Sequence, residues 1–274
     1  MSGRRRAEEA GGNARSSHQR TLEAKPSRPH VTVGLGSQEP ERSDASAWRS
    51  ISAEDLLGAL SEIERKFAPK RLNIAGRLEL PLAHPRVAII GTRTASPQGV
   101  KTASHLAERL ARNGVTIVSG LARGIDTAAH EAAIGAGGAT VAVLGTPLSE
   151  TYPKENASLQ RLIMAQHLAI SQFAEGRPVQ RQNFILRNRT MALIADASII
   201  VESGEGGGSL HQGWEALRLG RPLFIHASEF SKKGLGWPRA MVRYGAVEFN
   251  DPEEVLSAVP SASVGLAVAS LDTA

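Results

Sequence analysis

The stretch VTIVSGLARGIDTAAH, Val115 to His130, begins as an unbroken apolar run, turns on two glycines and continues as small residues with helical periodicity. A run that is apolar or β-branched at every position is the pattern of a strand covered on both faces. Gly120 and Gly124 supply a tight turn, and Ile125 onward reads as a helix. A strand that re-enters a helix through a glycine turn is half of a βαβ unit, which builds parallel sheet. The junction also holds Arg123, Asp126 and His130, more charge than a turn requires. Asp126 falls in the first helical turn, where a negative charge complements the helix dipole. From there it can orient Arg123, pair with His130, or act only as a cap.

The same alternation extends in both directions. VAIIG (87–91) precedes the helical QGVKTASHLAERLARNG (98–114), which Gly114 closes. After the opening stretch come strand TVAVLG, helix NASLQRLIMAQ, strand LAIS and a helix over FILRNRTMALIA (184–195). Strand ASIIVE, helix GSLHQGWEALRLG and strand PLFIH follow. Right-handed crossovers make this an α/β fold, a doubly wound and mostly parallel sheet with helices on both faces. Upstream, SAEDLLGALSEIERKF (52–67) reads as one amphipathic helix capped by Ser52 with Asp55, its stripe formed by Leu56, Leu57, Leu60 and Ile63. LNIAG (72–76) is a short strand ahead of a linker.

The expected boundaries are a disordered basic tail over 1–50, an extension over 51–84, the main domain over 85–258 and a flexible tail over 259–274. Arg, Ser, Gly and Pro dominate the first segment, too little apolar surface to offset the entropy of ordering. The basic start is followed by no apolar core segment, so no secretory signal is read there. No stretch reaches the ~20 apolar residues of a membrane span. Cysteine is absent, which excludes disulfides and thiolate metal sites and fits a cytoplasmic location. The net charge of +5 favours a polyanionic partner.

In a doubly wound sheet the ligand sits beyond the carboxyl ends of the strands. The loops there read GTRTASPQG, SGLARGID, GTPLSETYPKEN and ESGEGGGSLHQ. Their Gly, Ser and Thr let backbone amides approach an anion, and each leads to a helix N-terminus with roughly half a unit of positive charge. The first loop lacks G-x-G-x-x-G, and Ser119-Gly120 stand where a dinucleotide site places an acidic residue. No G-x-x-x-x-G-K-[ST] loop occurs, and the His residues form no H-E-x-x-H pair. Neither cofactor nor metal is expected. Arg93 and Arg123 occupy the first two loops, and GRPVQRQNFILRNRTMALIA (176–195) carries Arg177, Arg181, Arg187 and Arg189 without an acidic residue. Arginine forks match phosphate oxygens, and Phe184 among them suits stacking on an unpaired base, unless it belongs to the core.

Taken in order, VAIIGTR, VSGLARGIDTAAH, AVLG, YPKEN, NFILRNR, GGGSLHQGWEALRLGRPLF and YGAVEF resemble the DNA-processing protein A family, DprA or Smf, over roughly 52–258. The resemblance implies a Rossmann-like domain that binds single-stranded DNA without catalysis, protects incoming strands in natural transformation, and loads a RecA-type recombinase in homologous recombination, acting as a homodimer. Carried over by motif, the implied DNA-binding residues are Arg93, Ser119, Gly120, Arg123, Gly124, Phe184, Arg187, Asn188, Arg189, Gly208 and Ser209. Ile185 replaces the family's proline, Gln172 its glutamate after the fourth strand, and no winged-helix segment follows residue 258. A rival resemblance is to LOG-type phosphoribohydrolases, whose glycine-rich signature SGEGGGSLHQ echoes. That alignment puts Gln212 where a catalytic glutamate belongs, and an amide is no general base. Glu215 lies nearly one turn further on and substitutes only if the pocket is rearranged. A nucleotide-sensing module without turnover is a third reading.

Overall fold

The computed structural model describes residues 48–176 and 178–259. The tails expected at the two ends, and Arg177, therefore lie outside the described residues, apart from the few positions where the end segments meet the domain.

The chain enters through β1 (Arg49–Ile51), α1 (Ala53–Leu57), α2 (Glu62–Phe67) and β2 (Leu72–Gly76). The alternating core follows: β3 (Arg86–Gly91), α3 (Pro97–Arg112), β4 (Thr116–Ser119), α4 (Ile125–Gly135) and β5 (Thr140–Leu144). A 3-10 turn (Lys154–Asn156) leads into α5 (Ala157–Gln166) and β6 (Leu168–Ser171). The second half runs α6 (Arg181–Ile194), β7 (Ala197–Glu202), α7 (Gly208–Arg218) and β8 (Leu223–His226). It closes with α8 (Ser228–Ser231), α9 (Trp237–Val242), β9 (Val247–Phe249) and α10 (Pro252–Ala258).

The nine strands among the described residues form one sheet in the order β1-β2-β6-β5-β4-β3-β7-β8-β9. From β6 to β9 every neighbour pair is parallel, and β2 joins β6 antiparallel with β1 outside it. Chain direction across the sheet reverses at β3, which lies between β4 and β7. The loops leaving β3 and β7 must part there, and that opens a crevice at the carboxyl rim.

Strand alternation divides the core. Val87 and Ile89 pack with Leu106, Leu110, Ile125 and Ala129 under α3 and α4, while Ala88 and Ile90 pack with Met191, Ile194 and Leu210 under α6 and α7. A third cluster seats α5 through Ile163 against Ala142 and Ala169.

The expected helix over 52–67 is two short ones. Gly58, at φ 83°, ends α1 in a conformation costly for other residues, and Ser61 starts α2 with its own capping box to Glu64. The break rotates the stripe: Leu56, Leu57 and Leu60 are buried, but Ile63 is exposed. The α6 helix begins at Arg181, earlier than the FILRNR pattern suggests, and β1, β9 and α8 to α10 were not legible as elements. No described helix is long and apolar enough to cross a membrane.

Candidate nucleic-acid interface

The crevice between the β3 and β7 ends is a cleft of about 620 Å³. Its walls bring together Thr92 and Arg93 from the β3 loop, Arg181, Phe184, Arg187 and Asn188 from α6, and the glycine-rich loop with Gly208 and Ser209 opening α7. A smaller cavity of about 250 Å³ shares Arg93, Phe184 and Arg187 and adds Gly120 and Arg123. The fold therefore brings eight of the eleven expected residues, Arg93, Gly120, Arg123, Phe184, Arg187, Asn188, Gly208 and Ser209, to the lining of these two cavities. Ser119, Gly124 and Arg189 line neither cavity.

The charge at the β4–α4 turn is used internally. Asp126 is buried, and its carboxylate accepts from the amides of Gly120 at 3.2 Å and Ala122 at 3.4 Å. The turn's amides are therefore committed inward. Burial pushes the Asp126 carboxyl up, against the opposing charge of Arg187. Arg187 is itself only 5% exposed. Its Nη1 donates to the Gly120 carbonyl and, at 3.0 Å, to that of Val143. A Cβ on Gly120 would stand 1.5 Å from that same nitrogen, so glycine is required here by close packing. Gly124 sits at φ 76°, and a Cβ there would meet the Thr92 carbonyl at 2.5 Å.

His130 does not pair with Asp126. Its Nδ1 lies 2.7 Å from Thr140 Oγ1, and burial, then the Arg187 charge, push it down to about 3, leaving a neutral core histidine. Leu121, fully buried, holds φ 57°, a conformation rare for a side chain of its size. Asn156 fastens it by donating to the Leu121 carbonyl at 2.9 Å and to Thr127 Oγ1 at 2.9 Å. Asn188 likewise ties α6 to α7 through the Gly208 carbonyl at 3.0 Å. Much of the motif polarity is scaffold that fixes the loops.

Few groups face outward. Arg93 stacks its guanidinium 5.2 Å over the Phe184 ring and 5.9 Å over Tyr152, whose own rings lie 5.2 Å apart. Among the described residues Arg93 makes no ion pair, and Tyr152 is half exposed. Phe184 is thus no core residue; it forms the wall between the two cavities, braced by Gly145, where a Cβ would come within 2.6 Å of the ring. Arg123, expected to face an anion directly, pairs with Glu155 at 2.9 Å in the open, a contact of small worth that a ligand can exchange. Arg189 pairs with Glu215 at 3.0 Å, and Arg218 shares the same carboxylate. Glu215 is thereby held outside the cleft lining, and Gln212, which does line it, is a buried amide against Ser198 at 3.5 Å.

Tyr152, missed by motif reading, lines the cleft, as does Arg181, which the sequence offered only as one of the arginines of the basic run. Tyr152 stands inside the YPKEN motif, where its aromatic beside a lysine was a usable signal. Among the described residues no group of three His, Asp or Glu is placed to hold a metal.

The family model for DNA recombination-mediator protein A matches residues 51–260. The chain belongs to that family. It is 42% identical over 157 residues to the DNA processing protein DprA of Streptococcus pneumoniae, covering 57% of this chain and 55% of that one. Bacillus subtilis DprA is 30% identical over 196 residues, 72% of this chain and 66% of the relative. Escherichia coli Smf is 35% identical over 189 residues, 69% and 50% respectively. The chain thus spans half to two thirds of the length of these family members. The X-ray structure of S. pneumoniae DprA superposes with a TM-score of 0.69 at 33% identity, covering 78% of this chain and 75% of that one. A Helicobacter pylori DprA structure, described for its single-stranded DNA binding mode, shares the fold with a TM-score of 0.65 at 24% identity, over 77% and 94%.

Proposed function

We propose that this family member binds single-stranded DNA in the cleft between β3 and β7, without breaking a bond, and hands the strand to a RecA-type recombinase during DNA uptake and homologous recombination. The observation that carries the reading is the Arg93–Tyr152–Phe184 platform. A cation with no ion pair among the described residues, stacked on two aromatic rings at the mouth of a cleft, offers a phosphate contact and a base-stacking face together. A duplex hides its base faces, so the platform selects unpaired strands. Arg181, Arg123, Ser209 and Gly208 extend the cationic and glycine-rich rim. Arg187, Asn188, Gly120, Gly124 and Ser119 support the strand indirectly, by fixing the walls on which Arg93 and Phe184 stand. The H. pylori relative described for single-stranded DNA binding supports the same reading through its fold.

The hydrolase alternative loses its candidate base, because Glu215 is engaged with Arg189 and Arg218. Self-association has support in the exposed Trp214 and Tyr244, which pack edge to face at 5.3 Å on the side of α7 away from the sheet. The recombinase contact has no residue assigned to it.

Fluorescence anisotropy with labelled single-stranded and duplex oligonucleotides tests the proposal. Single strands are expected to bind with affinity falling steeply in salt, and Arg93→Ala or Phe184→Ala to weaken every sequence alike by roughly 5- to 100-fold, the worth of one stacking contact. Equal affinity for duplex would overturn it, and tight binding of a mononucleotide alone would favour a nucleotide sensor instead.

A further inference from the structure

A second, smaller notch of about 220 Å³ opens on the same carboxyl rim but on the α3 side of the sheet. One face of α3 supplies Gln98, Lys101, Thr102 and His105, and the ends of β8 and β9 supply His226 and Asn250. The spacing of the α3 residues is that of one helix face. Every polar group in this lining can donate a hydrogen bond, and none is a carboxylate. Neighbouring acids are committed elsewhere: Asp251 and Glu254 close the capping box of α10, and Glu253 pairs with Arg109. Glu202 accepts from Ser96, and Lys232 bridges it to Glu229.

His226 is anchored through one ring nitrogen. Its Nδ1 lies 2.8 Å from Ser228 Oγ and 3.3 Å from the Ser228 amide, while Nε2 has no partner among the described residues. The ring is steadied edge-on against Phe249 at 5.5 Å. Lys101 and His105 are exposed and make no ion pair among the described residues. A concave, carboxylate-free lining of convergent donors with the Lys101 ammonium at its edge fits a phosphate group.

We propose that the notch is a second phosphate site, occupied by the backbone of the same single strand after it leaves the cleft. The link is the β3–α3 segment: Arg93 stands in the cleft and Gln98 in the notch, within about 18 Å of each other by the reach of the chain between them. The inference rests on the cleft reading, and it assigns Lys101, His105 and His226 to the strand's exit.

The test uses the full chain and two labelled oligothymidylates, one of about 5 nucleotides and one of about 20. Lys101→Ala is expected to reduce the affinity of the long oligonucleotide several-fold and to flatten its log–log salt slope by about 0.7, one phosphate contact on a single strand. Lys101→Glu enlarges the loss to tenfold or more, Lys101→Arg restores binding, and the short oligonucleotide is unaffected throughout. Inorganic phosphate titrated against the wild type is expected to shift the His226 and His105 imidazole resonances. Long and short oligonucleotides weakening together, or neither weakening, overturns the proposal. So does a phosphate-induced shift with the long oligonucleotide indifferent to Lys101, which assigns the notch to a small phosphate compound instead. If the wild type retains neither oligonucleotide at low salt, the cleft reading fails first, and the phosphate titration still decides the notch.

Discussion

Replacing Arg187 with methionine separates scaffold from ligand contact. The side chain keeps its apolar length but loses the nitrogen that Gly120 and Val143 accept from and the charge that opposes the burial of Asp126. Removing one partner of a buried ionic arrangement costs about 3–5 kcal/mol, because the other charge stays behind without compensation. For a domain of this size each kcal/mol moves Tm by roughly 2–4 °C, so the melting temperature should fall by about 6–20 °C. Asp126 can relieve the penalty by taking up a proton, and its carboxyl already lies above the ordinary value through burial. Without Arg187 it rises further, so the folded variant holds a proton that the unfolded chain releases. The variant's stability then falls as pH rises through that titration, and its gap from wild type is narrower near pH 5 than at pH 8. Adding Asp126→Asn should return part of the loss. Calorimetry of the wild type, the two single variants and the double variant at both pH values reads all of this. A variant that melts with the wild type yet loses oligonucleotide binding would refute the scaffold role and put Arg187 on the ligand.

Gly145→Ala should push the Phe184 ring off its seat, since the new Cβ would come within 2.6 Å of it; binding is expected to weaken as it does for Phe184→Ala, with the platform still chemically complete, and unchanged affinity would count against the platform. Glu215→Gln frees Arg189 and Arg218 from their shared carboxylate, so strand affinity should hold or rise, and neither protein should release base from a nucleoside monophosphate by chromatography. Base release that the substitution abolishes would restore the hydrolase. His130, pushed down to about 3 by burial, favours the fold above the unfolded-chain value near 6.5 and progressively less below it. Its share of the loss reaches about 2 kcal/mol by pH 5, and chemical denaturation of His130→Gln should lack that share; a pH profile parallel to wild type would contradict the assignment.

The parallel core was legible because its strands are apolar at every position and its loops end in glycine; VAIIG, VTIVSG and TVAVLG each occupy the strand that periodicity assigns. The failures were local. A helix over 52–67 satisfies the apolar spacing, yet Gly58 and the second Ser–Glu cap override it, a tertiary choice that exposes Ile63. Edge strands such as β9, three residues long, carry too little pattern to register. At the rim, sequence named residues that the fold brings near one another but not the directions they take. Spacing placed Arg93, Arg123, Arg187 and Arg189 near one another, whereas only packing shows that Arg187 points inward, that Arg123 and Arg189 meet carboxylates and that Arg93 stays open. Tyr152 escaped notice for the complementary reason: it reaches the platform from a distant loop, a juxtaposition that no local spacing encodes.

The most direct measurement is photocrosslinking of a halogenated-pyrimidine single strand to the 274-residue chain, with the attachment point read by mass spectrometry. The proposed account places adducts on Phe184 or Tyr152, suppressed by unlabelled single strand and not by duplex. Adducts confined to the opposite end of the sheet, or to the Trp214–Tyr244 surface, would contradict it.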